Sequence, residues 1–282
     1  MTLEFTVMRL AFRIALLAVL LFGGLAPRAV GQIEHFNAAA LQAVGGVFTI
    51  LPGRASQVVS NAALLVRDET RLAAELSYSK PFGLSELEEI SLYGKARVNR
   101  WGFGIGIARA GQSSLYQETA VNLAAAFRVR PELSVGAAVK HVGTEFGDNT
   151  MAFAGSSMAF SIAASPVPSI LLGATARNLV TDDLYDGETN EPIGELSVAW
   201  SAPPDVSIGA IWTKQRRGDS RFGLGQMIRL HRSFDFLAGL RFDPVRFSLG
   251  GELSLHSASL VYCYQGHPDL GATHSFGIAW KR

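Results

Sequence analysis

Histidines and serines are the first residues to examine for chemistry, because a serine hydrolase needs a nucleophile, a histidine and an orienting group. Two adjacent pairs occur, His256-Ser257 and His274-Ser275. Neighbours on a β-strand point to opposite faces, so the two side chains of each pair cannot meet directly. The chain also lacks a Gly-x-Ser-x-Gly motif, in which a strained turn exposes the serine. We therefore expect a protein that is not an enzyme.

Cofactor and metal motifs are absent from the sequence as well. The six histidines show no His-Glu-x-x-His spacing, and Cys263 alone cannot build a cysteine-rich metal site or an internal disulfide. Gly102, Gly104 and Gly106 follow one another at every second position without a helix after them, so they indicate the small-residue face of a strand and no dinucleotide loop. We expect no cofactor and no metal, and we interpret Cys263 as an inward or interstrand filler.

A second group of polar residues lies near the carboxyl terminus. His267-Pro268-Asp269-Leu270 precedes Gly271, and His274 follows. This stretch could shape a surface loop that touches a partner. The pattern favours a tight turn, because proline fixes φ and Gly271 relieves strain before the next element.

The composition determines which kinds of element can position these residues. Charged residues make up 17% of the 282, the hydrophobic set reaches 48%, and 29 residues are glycine. These values exclude a disordered chain. The formal net charge of +1 gives no reason to expect a nucleic-acid partner.

The amino terminus resembles a secretory signal. Arg9 and Arg13 precede an apolar run over 14–25, which is too short to span a bilayer as a helix. Small residues at 29–31 fit a cleavage site near Gly31, so we expect residues 1–31 to be a signal peptide. A retained membrane anchor is the alternative.

An exported chain with few charges and no spanning helix must bury or shield its apolar surface in another way, and a transmembrane β-barrel does so. Its signature is apolar residues alternating with small or polar ones over about ten residues. The segments 101–108, 206–213, 247–253 and 275–281 all show it. A soluble β-sandwich would carry a charged outward face, which this pattern lacks.

The alternation predicts an all-β fold, a transmembrane antiparallel β-barrel of about 14 strands with a short N-terminal helical plug segment. Twelve or sixteen strands remain alternatives. We place the strands near 71–79, 88–98, 101–110, 118–128, 132–142, 151–163, 168–178, 193–201, 205–214, 220–230, 233–242, 245–255, 257–265 and 271–281. Tight connections alternate with roomier ones, as short periplasmic turns alternate with outer loops in bacterial barrels. Both termini are then periplasmic.

All four tryptophans lie near predicted strand ends on the membrane-facing side. We expect them to form aromatic girdles at the two membrane interfaces. Trp101, Trp200 and Trp280 would lie at the periplasmic rim, and Trp212 at the outer rim.

Inside the barrel we expect mostly small residues, with charges of both signs among them. Mixed signs favour paired charges in a mostly plugged lumen over an ion-selective ring. The inward charges are Glu75, Lys95, Arg97, Arg128, Lys140, Arg177, Glu195, Arg229, Asp235, Arg241, Glu252 and Lys281. Residues 32–70, with a short helix over 32–44, could fold into the barrel as a plug or hatch, and residues 71–282 would form the barrel.

Three stretches resemble one known family. They are Gly45-Gly46-Val47-Phe48 leading to Asn61-Ala62-Ala63-Leu64, Ser77-Tyr78-Ser79-Lys80-Pro81-Phe82-Gly83-Leu84, and Tyr264 to His274. Together they resemble the PorV/PorQ-type outer-membrane proteins of the FadL-like superfamily of fourteen-stranded barrels. Two features depart from the family: Asn61-Ala62-Ala63-Leu64 replaces Asn-Pro-Ala-Gly, and the chain ends in Trp280-Lys281-Arg282 instead of an aromatic residue. By this resemblance Gly45, Gly46 and Asn61 are candidate hatch residues.

The resemblance implies an outer-membrane protein in contact with lipid, with two branches of function. PorV-like members work with the type IX secretion machinery and deliver exported proteins to the cell surface. FadL-like members pass hydrophobic molecules through the hatch and a lateral opening. The short outer loops favour the secretion branch, with machinery subunits and exported proteins as partners. A hydrophobic ligand belongs to the transporter alternative, and a purely structural barrel is the third hypothesis.

Overall fold

The structure is a computed structural model that describes residues 38–147, 152–179, 191–202, 205–216, 218, 220–242 and 244–282. The predicted signal peptide, the first six residues of the predicted helix over 32–44 and most of the predicted connection over 179–192 lie outside these residues. Among the described residues no helix is long and apolar enough to cross a membrane.

Fourteen antiparallel strands form one closed barrel, as the alternation predicted. Each strand pairs with its sequence neighbours, and β1 pairs with β14 to close the ring. The strands are β1 Leu72–Lys80, β2 Glu89–Val98, β3 Trp101–Gln112, β4 Tyr116–Arg130, β5 Leu133–Phe146, β6 Ala152–Val167, β7 Ile170–Arg177, β8 Ile193–Ala202, β9 Val206–Gln215, β10 Ser220–His231, β11 Phe234–Phe242, β12 Arg246–Leu255, β13 Ala258–His267 and β14 Gly271–Lys281.

Period-two alternation places opposite residue types on the two faces of the wall. In β3, Trp101, Phe103, Ile105 and Ile107 are exposed on the outward face, whereas the small residues between them point into the barrel. The outward face is therefore apolar around the described wall.

The connections differ between the two ends of the barrel. At one end, which we call the terminal end, short turns join the strands and the Arg71 amide donates to the Arg282 carbonyl at 2.9 Å. Asn99 and His256 occupy such turns with φ of 55°. At the opposite end, the loop end, 3-10 helices Pro81–Gly83 and Ser85–Leu87 fill the first connection.

Strands β4, β5 and β6 are longer than the sequence pattern predicted. The ladder between β4 and β5 continues to Tyr116 and Phe146, so part of the predicted loop over 143–150 belongs to a strand. The glycine and polar residues there show no apolar alternation, so the sequence pattern did not predict a strand. The strand forms nevertheless, because its backbone hydrogen bonds do not depend on that alternation.

The segment before β1 lies inside the barrel. We call residues 38–70 the plug. It contains helices α1 Ala39–Ala43 and α2 Gln57–Ser60 and the 3-10 helices Phe48–Ile50 and Ala62–Val66. Because these elements are so short, most backbone groups of the plug need partners outside their own helix.

The plugged lumen as the candidate functional site

The apolar core of the protein forms where the plug meets the inner wall. Phe48, Leu64, Leu65 and Val66 are at most 1% exposed, and they pack in two clusters with inward wall residues. Full burial of such side chains contributes about 1.5–3 kcal/mol each. The lumen is thus a packed core at this level.

Inward glycines make room for the plug. A Cβ on Gly102 would lie 2.7 Å from Val66, and one on Gly173 would lie 2.5 Å from Phe48. A Cβ on Gly136 or on Gly225 would lie equally close to backbone atoms of the plug, at 2.6 and 2.3 Å. The small-residue face read from the sequence is therefore the surface against which the plug packs.

Wall hydroxyls satisfy the irregular backbone of the plug. Ser134 Oγ donates to the Ala63 carbonyl at 2.8 Å, and Ser161 Oγ accepts from the Ala63 amide at 3.0 Å. Ser248 Oγ donates to the Ala43 carbonyl at 3.1 Å. Buried backbone groups are costly without partners, so these hydroxyls allow an irregular segment to remain in the core.

The predicted hatch residues Gly45 and Gly46 form the turn that ends α1. Their φ values are +63° and +81°, and the Gly46 amide donates to the Leu41 carbonyl at 2.8 Å, a common helix ending. Arg241 Nε donates to the Gly45 carbonyl at 3.0 Å. The positive φ favours glycine at Gly46, and a Cβ there would also have to displace the end of the Arg241 side chain.

The third predicted hatch residue, Asn61, contacts β6 and β7, whereas that turn lies against β10 and β11. It is 1% exposed, and its Nδ2 donates to the Ala174 carbonyl at 3.1 Å and the Ile162 carbonyl at 3.4 Å. The structure therefore does not bring Asn61 together with Gly45 and Gly46. All three contact the wall from within the plug.

Arg54 is the centre of an ion cluster near the terminal end. Its guanidinium lies 2.8 Å from a Glu252 oxygen and 3.1 Å from a Glu75 oxygen. Ser259 Oγ donates to Glu252 at 2.6 Å. A cavity of about 90 Å³, also lined by Lys281, adjoins the cluster. Arg54 thus ties the plug to β1 and β12 together.

The end of the plug is held by further charges. Lys95 pairs with Asp68, while Arg97 and Arg128 lie 3.0 and 3.4 Å from Glu69 carboxylate oxygens. The hydrogen bond and charge of Arg97, with a hydrogen bond from Arg128, lower the pKa of the Glu69 carboxyl below its ordinary value. Charged pairs therefore hold residues 53–69, whereas the contacts of residues 38–51 described above are apolar or involve a neutral group of the plug.

Many of the predicted inward charges are therefore paired, and several of their partners lie in the plug. Within the wall, Arg177 pairs with Glu195, and Arg229 Nε lies 3.0 Å from Asp235. The sequence reasoning missed Arg54, Asp68 and Glu69 as partners. The signal available in the sequence was Arg54 in the segment before β1. No alternation among its neighbours shows which strand it contacts.

The four tryptophans all lie on the outward face. Trp101, Trp200 and Trp280 are near the terminal end and are 40–50% exposed, and Trp212 lies on β9 towards the loop end. The outward position of three tryptophans near one end and of one towards the other is the arrangement that the prediction of two aromatic girdles assumed.

The segment from His267 to His274 contains the turn between β13 and β14. His267 Nδ1 accepts from the amides of Asp269 and Leu270, both at 3.1 Å, and Gly271 has φ of +90°. Pro268 and Leu270 are exposed. His274 points outward, where its Nδ1 lies 2.8 Å from the Tyr262 hydroxyl.

The residues considered for catalysis are separated. His274 faces outward, whereas Ser275 faces inward and bonds the plug residue Gln42. Cys263 is a buried free thiol on the inner face. In the described part of the chain, no group of three or more histidine, cysteine or acidic residues could hold a metal ion.

Comparison with known proteins shows similarity in structure only. No family model matches the sequence, and no curated protein does. The Ralstonia pickettii toluene transporter TbuX aligns with a TM-score of 0.65 at 12% identity over 89% of this chain and 99% of that chain. The Pseudomonas putida toluene transporter TodX gives 0.69 at 10% over 90% and 99%. A Pseudomonas aeruginosa FadL homologue gives 0.62 at 12% over 89% and 98%.

These similarities establish the fold and extend beyond the strands. Residues 71–282 make up about three quarters of the chain, whereas the alignment with TodX covers 90% of it. The alignment therefore includes much of the segment that precedes β1.

Proposed function

We propose that this protein is an outer-membrane barrel that lets hydrophobic small molecules pass the membrane passively, with the plug as its hatch. The observation that carries the proposal is a lumen filled by a separate N-terminal segment inside a wall whose outward face is apolar. Toluene transporters are among the structures with this fold. A monoaromatic or similarly small apolar molecule is the substrate class that we infer.

The orientation follows from the two ends of the barrel. We assign the terminal end to the periplasm and the loop end to the cell surface, because short turns face the periplasm in bacterial barrels. The four outward tryptophans would then mark the interfaces. We further propose that export requires cleavage of a signal peptide near Gly31.

The two halves of the plug have different roles in this proposal. Residues 53–69 are fixed by ion pairs to the wall near the periplasmic end, so they form the base. Residues 38–51 carry no charged side chain and pack through apolar contacts and hydrogen bonds, which are cheaper to break than buried ion pairs. Movement of this first half is the step that would open a passage.

Secretion, the branch favoured by the PorV/PorQ resemblance, receives no support from the three similar structures. Their names describe transport of toluene or homology to FadL. We therefore propose transport of hydrophobic molecules, and not secretion, as the main function, and we propose no catalytic role.

A tether between plug and wall tests the proposal. A Cβ on Gly277 would lie 3.4 Å from the Ala39 Cβ, close to the spacing in disulfides. We expect Ala39→Cys/Gly277→Cys, in a Cys263→Ala background, to abolish toluene uptake into cells when oxidised and to restore it on reduction. The single-cysteine variants are matched controls. Equal uptake in the oxidised and reduced forms, with the disulfide verified, would refute a moving hatch.

A further inference from the structure

The outward face of β11 to β14 carries an open apolar groove of about 720 Å³, which we call the outer groove. One outward row of register partners crosses all four strands: Phe236, Gly251, Tyr262 and Phe276. Glycine thus lies between two aromatic residues in this row. The ring of Phe234 lies against Gly251, where a Cβ would come within 2.9 Å of it. The missing side chain of Gly251 therefore deepens the groove between the aromatic residues.

The outer groove follows the strands over about the depth of one lipid leaflet. On β12 it runs from Leu253 to Leu249, and on β13 from Leu260 to Tyr264. Four residues of a strand rise roughly 14 Å, and one leaflet of the hydrocarbon core is about 15 Å thick. The three leucines are 40–47% exposed, so they present apolar surface along this length. The groove therefore has the length and the lining that an acyl chain requires.

Basic and aromatic residues lie near the terminal end of the outer groove. Arg232 occupies the turn between β10 and β11, and His256 occupies the turn between β12 and β13. The two turns are neighbours, because the Ser254 amide donates to the Ser233 carbonyl at 2.8 Å. Arg232 and His256 are exposed, and Trp280 is 40% exposed at the adjacent end of β14. This rim combines a cation with the aromatic residue typical of a membrane interface.

The guanidinium of Arg232 is available to a ligand. Among the residues that the structure describes, no carboxylate lies within ion-pair distance of it. Arg229, three positions earlier, is in contrast paired with Asp235 at 3.0 Å. The guanidinium presents its N–H donors as a planar fork that matches the oxygen atoms of a phosphate. Charge complementarity therefore favours a headgroup that carries a phosphate and a net negative charge.

The opposite end of the outer groove is less suited to such a headgroup. His274 Nδ1 there lies 2.8 Å from the Tyr262 hydroxyl, so this side chain already has a partner. Lys80, the register partner of His274 on β1, lies 3.5 Å from a Glu88 carboxylate oxygen. The lysine at this end is thus already paired, whereas the arginine at the terminal end is not.

We propose that the outer groove binds one anionic phospholipid of the periplasmic leaflet, with the phosphate at Arg232 and an acyl chain over Gly251. The leaflet follows from the orientation proposed above, whereas the binding itself does not depend on transport. The arginine selects the charge of the headgroup. The groove holds the chain through dispersion contacts, because the chain lies closer to the backbone where a side chain is missing.

Two variants with matched controls separate the headgroup contact from the groove. Arg232→Gln removes the cation, and Arg100→Gln removes an exposed arginine from another terminal-end turn, between β2 and β3. Gly251→Leu fills the groove. Gly143→Leu adds the same side chain to the outward face of β5, where a Cβ would meet nothing within 4 Å. If Gly251→Leu does not fold, Gly251→Ala replaces it.

The readout is native mass spectrometry of the protein taken from vesicles with equal amounts of phosphatidylcholine and phosphatidylglycerol. We expect the unmodified protein to retain one phosphatidylglycerol in preference to phosphatidylcholine. An arginine near an anionic surface contributes about 1 kcal/mol, so Arg232→Gln should lower this preference about fivefold, and Arg100→Gln should leave it unchanged. Gly251→Leu should lower retention of both lipids, and Gly143→Leu should not.

Three results would overturn the proposal. Equal retention of the two lipids by the unmodified protein, or equal losses in Arg232→Gln and Arg100→Gln, would refute the headgroup contact. Unchanged retention in Gly251→Leu would refute the groove. Displacement of phosphatidylglycerol by added lipid A, with no effect of Arg232→Gln, would assign the groove to a lipid of the other leaflet.

Discussion

Removal of the Arg54 cation should release the base of the plug. In Arg54→Met the Glu75 and Glu252 carboxylates remain in the wall without the guanidinium that now lies 3.1 and 2.8 Å from them. Their side chains are 3% and 11% exposed, so solvent can replace the arginine only in part.

The size of the effect follows from the cost of an orphaned buried charge. Breaking a buried ion pair by removing one partner costs about 3–5 kcal/mol. The adjoining cavity of about 90 Å³ can admit water, so we take about 3 kcal/mol, the lower end of that range. That free energy corresponds to roughly a 100-fold increase in the fraction of molecules with a displaced plug.

Ion conductance in planar bilayers measures this fraction, with trypsin accessibility of the plug as a second readout. We expect Arg54→Met to conduct more often than the unmodified protein. The triple variant Arg54→Met/Glu75→Gln/Glu252→Gln is the control, because neutral partners remove the orphaned charges and should return conductance towards its original value. Identical conductance in all three proteins would show that the ion cluster does not hold the plug.

Three smaller perturbations address other contacts of the plug. Gly173→Val should overpack Phe48 and weaken plug docking by about 1–3 kcal/mol, seen as faster plug proteolysis, while Gly143→Val, whose Cβ would meet nothing within 4 Å, should not. The lowered pKa of Glu69 means that its stabilisation is present above the ordinary carboxyl pKa and lost as pH falls through the lowered value. Plug proteolysis by an acid-active protease should therefore rise on acidification, and Glu69→Gln should reduce that dependence without abolishing it, because other carboxylates also pair the plug with the wall. Ser134→Ala loses a buried hydrogen bond worth about 1 kcal/mol, which faster hydrogen exchange of the plug amides would report; unchanged exchange would contradict its supporting role.

The strands of the wall were predictable from the sequence because the pattern that indicates each strand is local. Each strand shows its faces through alternation, so the observed β2 and β9 differ from their predicted ranges by at most one residue at each end. The excess length of β4, β5 and β6 escaped prediction, because the extra positions pair through backbone groups that carry no sequence pattern.

The interior was less predictable because its contacts join distant parts of the chain. Glycines such as Gly102 could be assigned to the inner face, but nothing local shows that Val66 fills the space. The bond between Ser248 and Ala43 spans about 200 residues and depends on an irregular backbone. Partners of this kind become visible only when the barrel has closed.

The plug precedes every strand in the chain, yet it contacts the last one. Ala39 donates to Ser77 on β1 and packs against Gly277 on β14, and Gln42 bonds Ser275. The docking site of residues 39–42 is therefore complete only when the last strand has paired with the first. Contacts of such sequence separation slow folding, because the chain must close a long loop before they form. Closure of the ring and docking of the N-terminal segment are thus coupled, since the same pair of strands takes part in both.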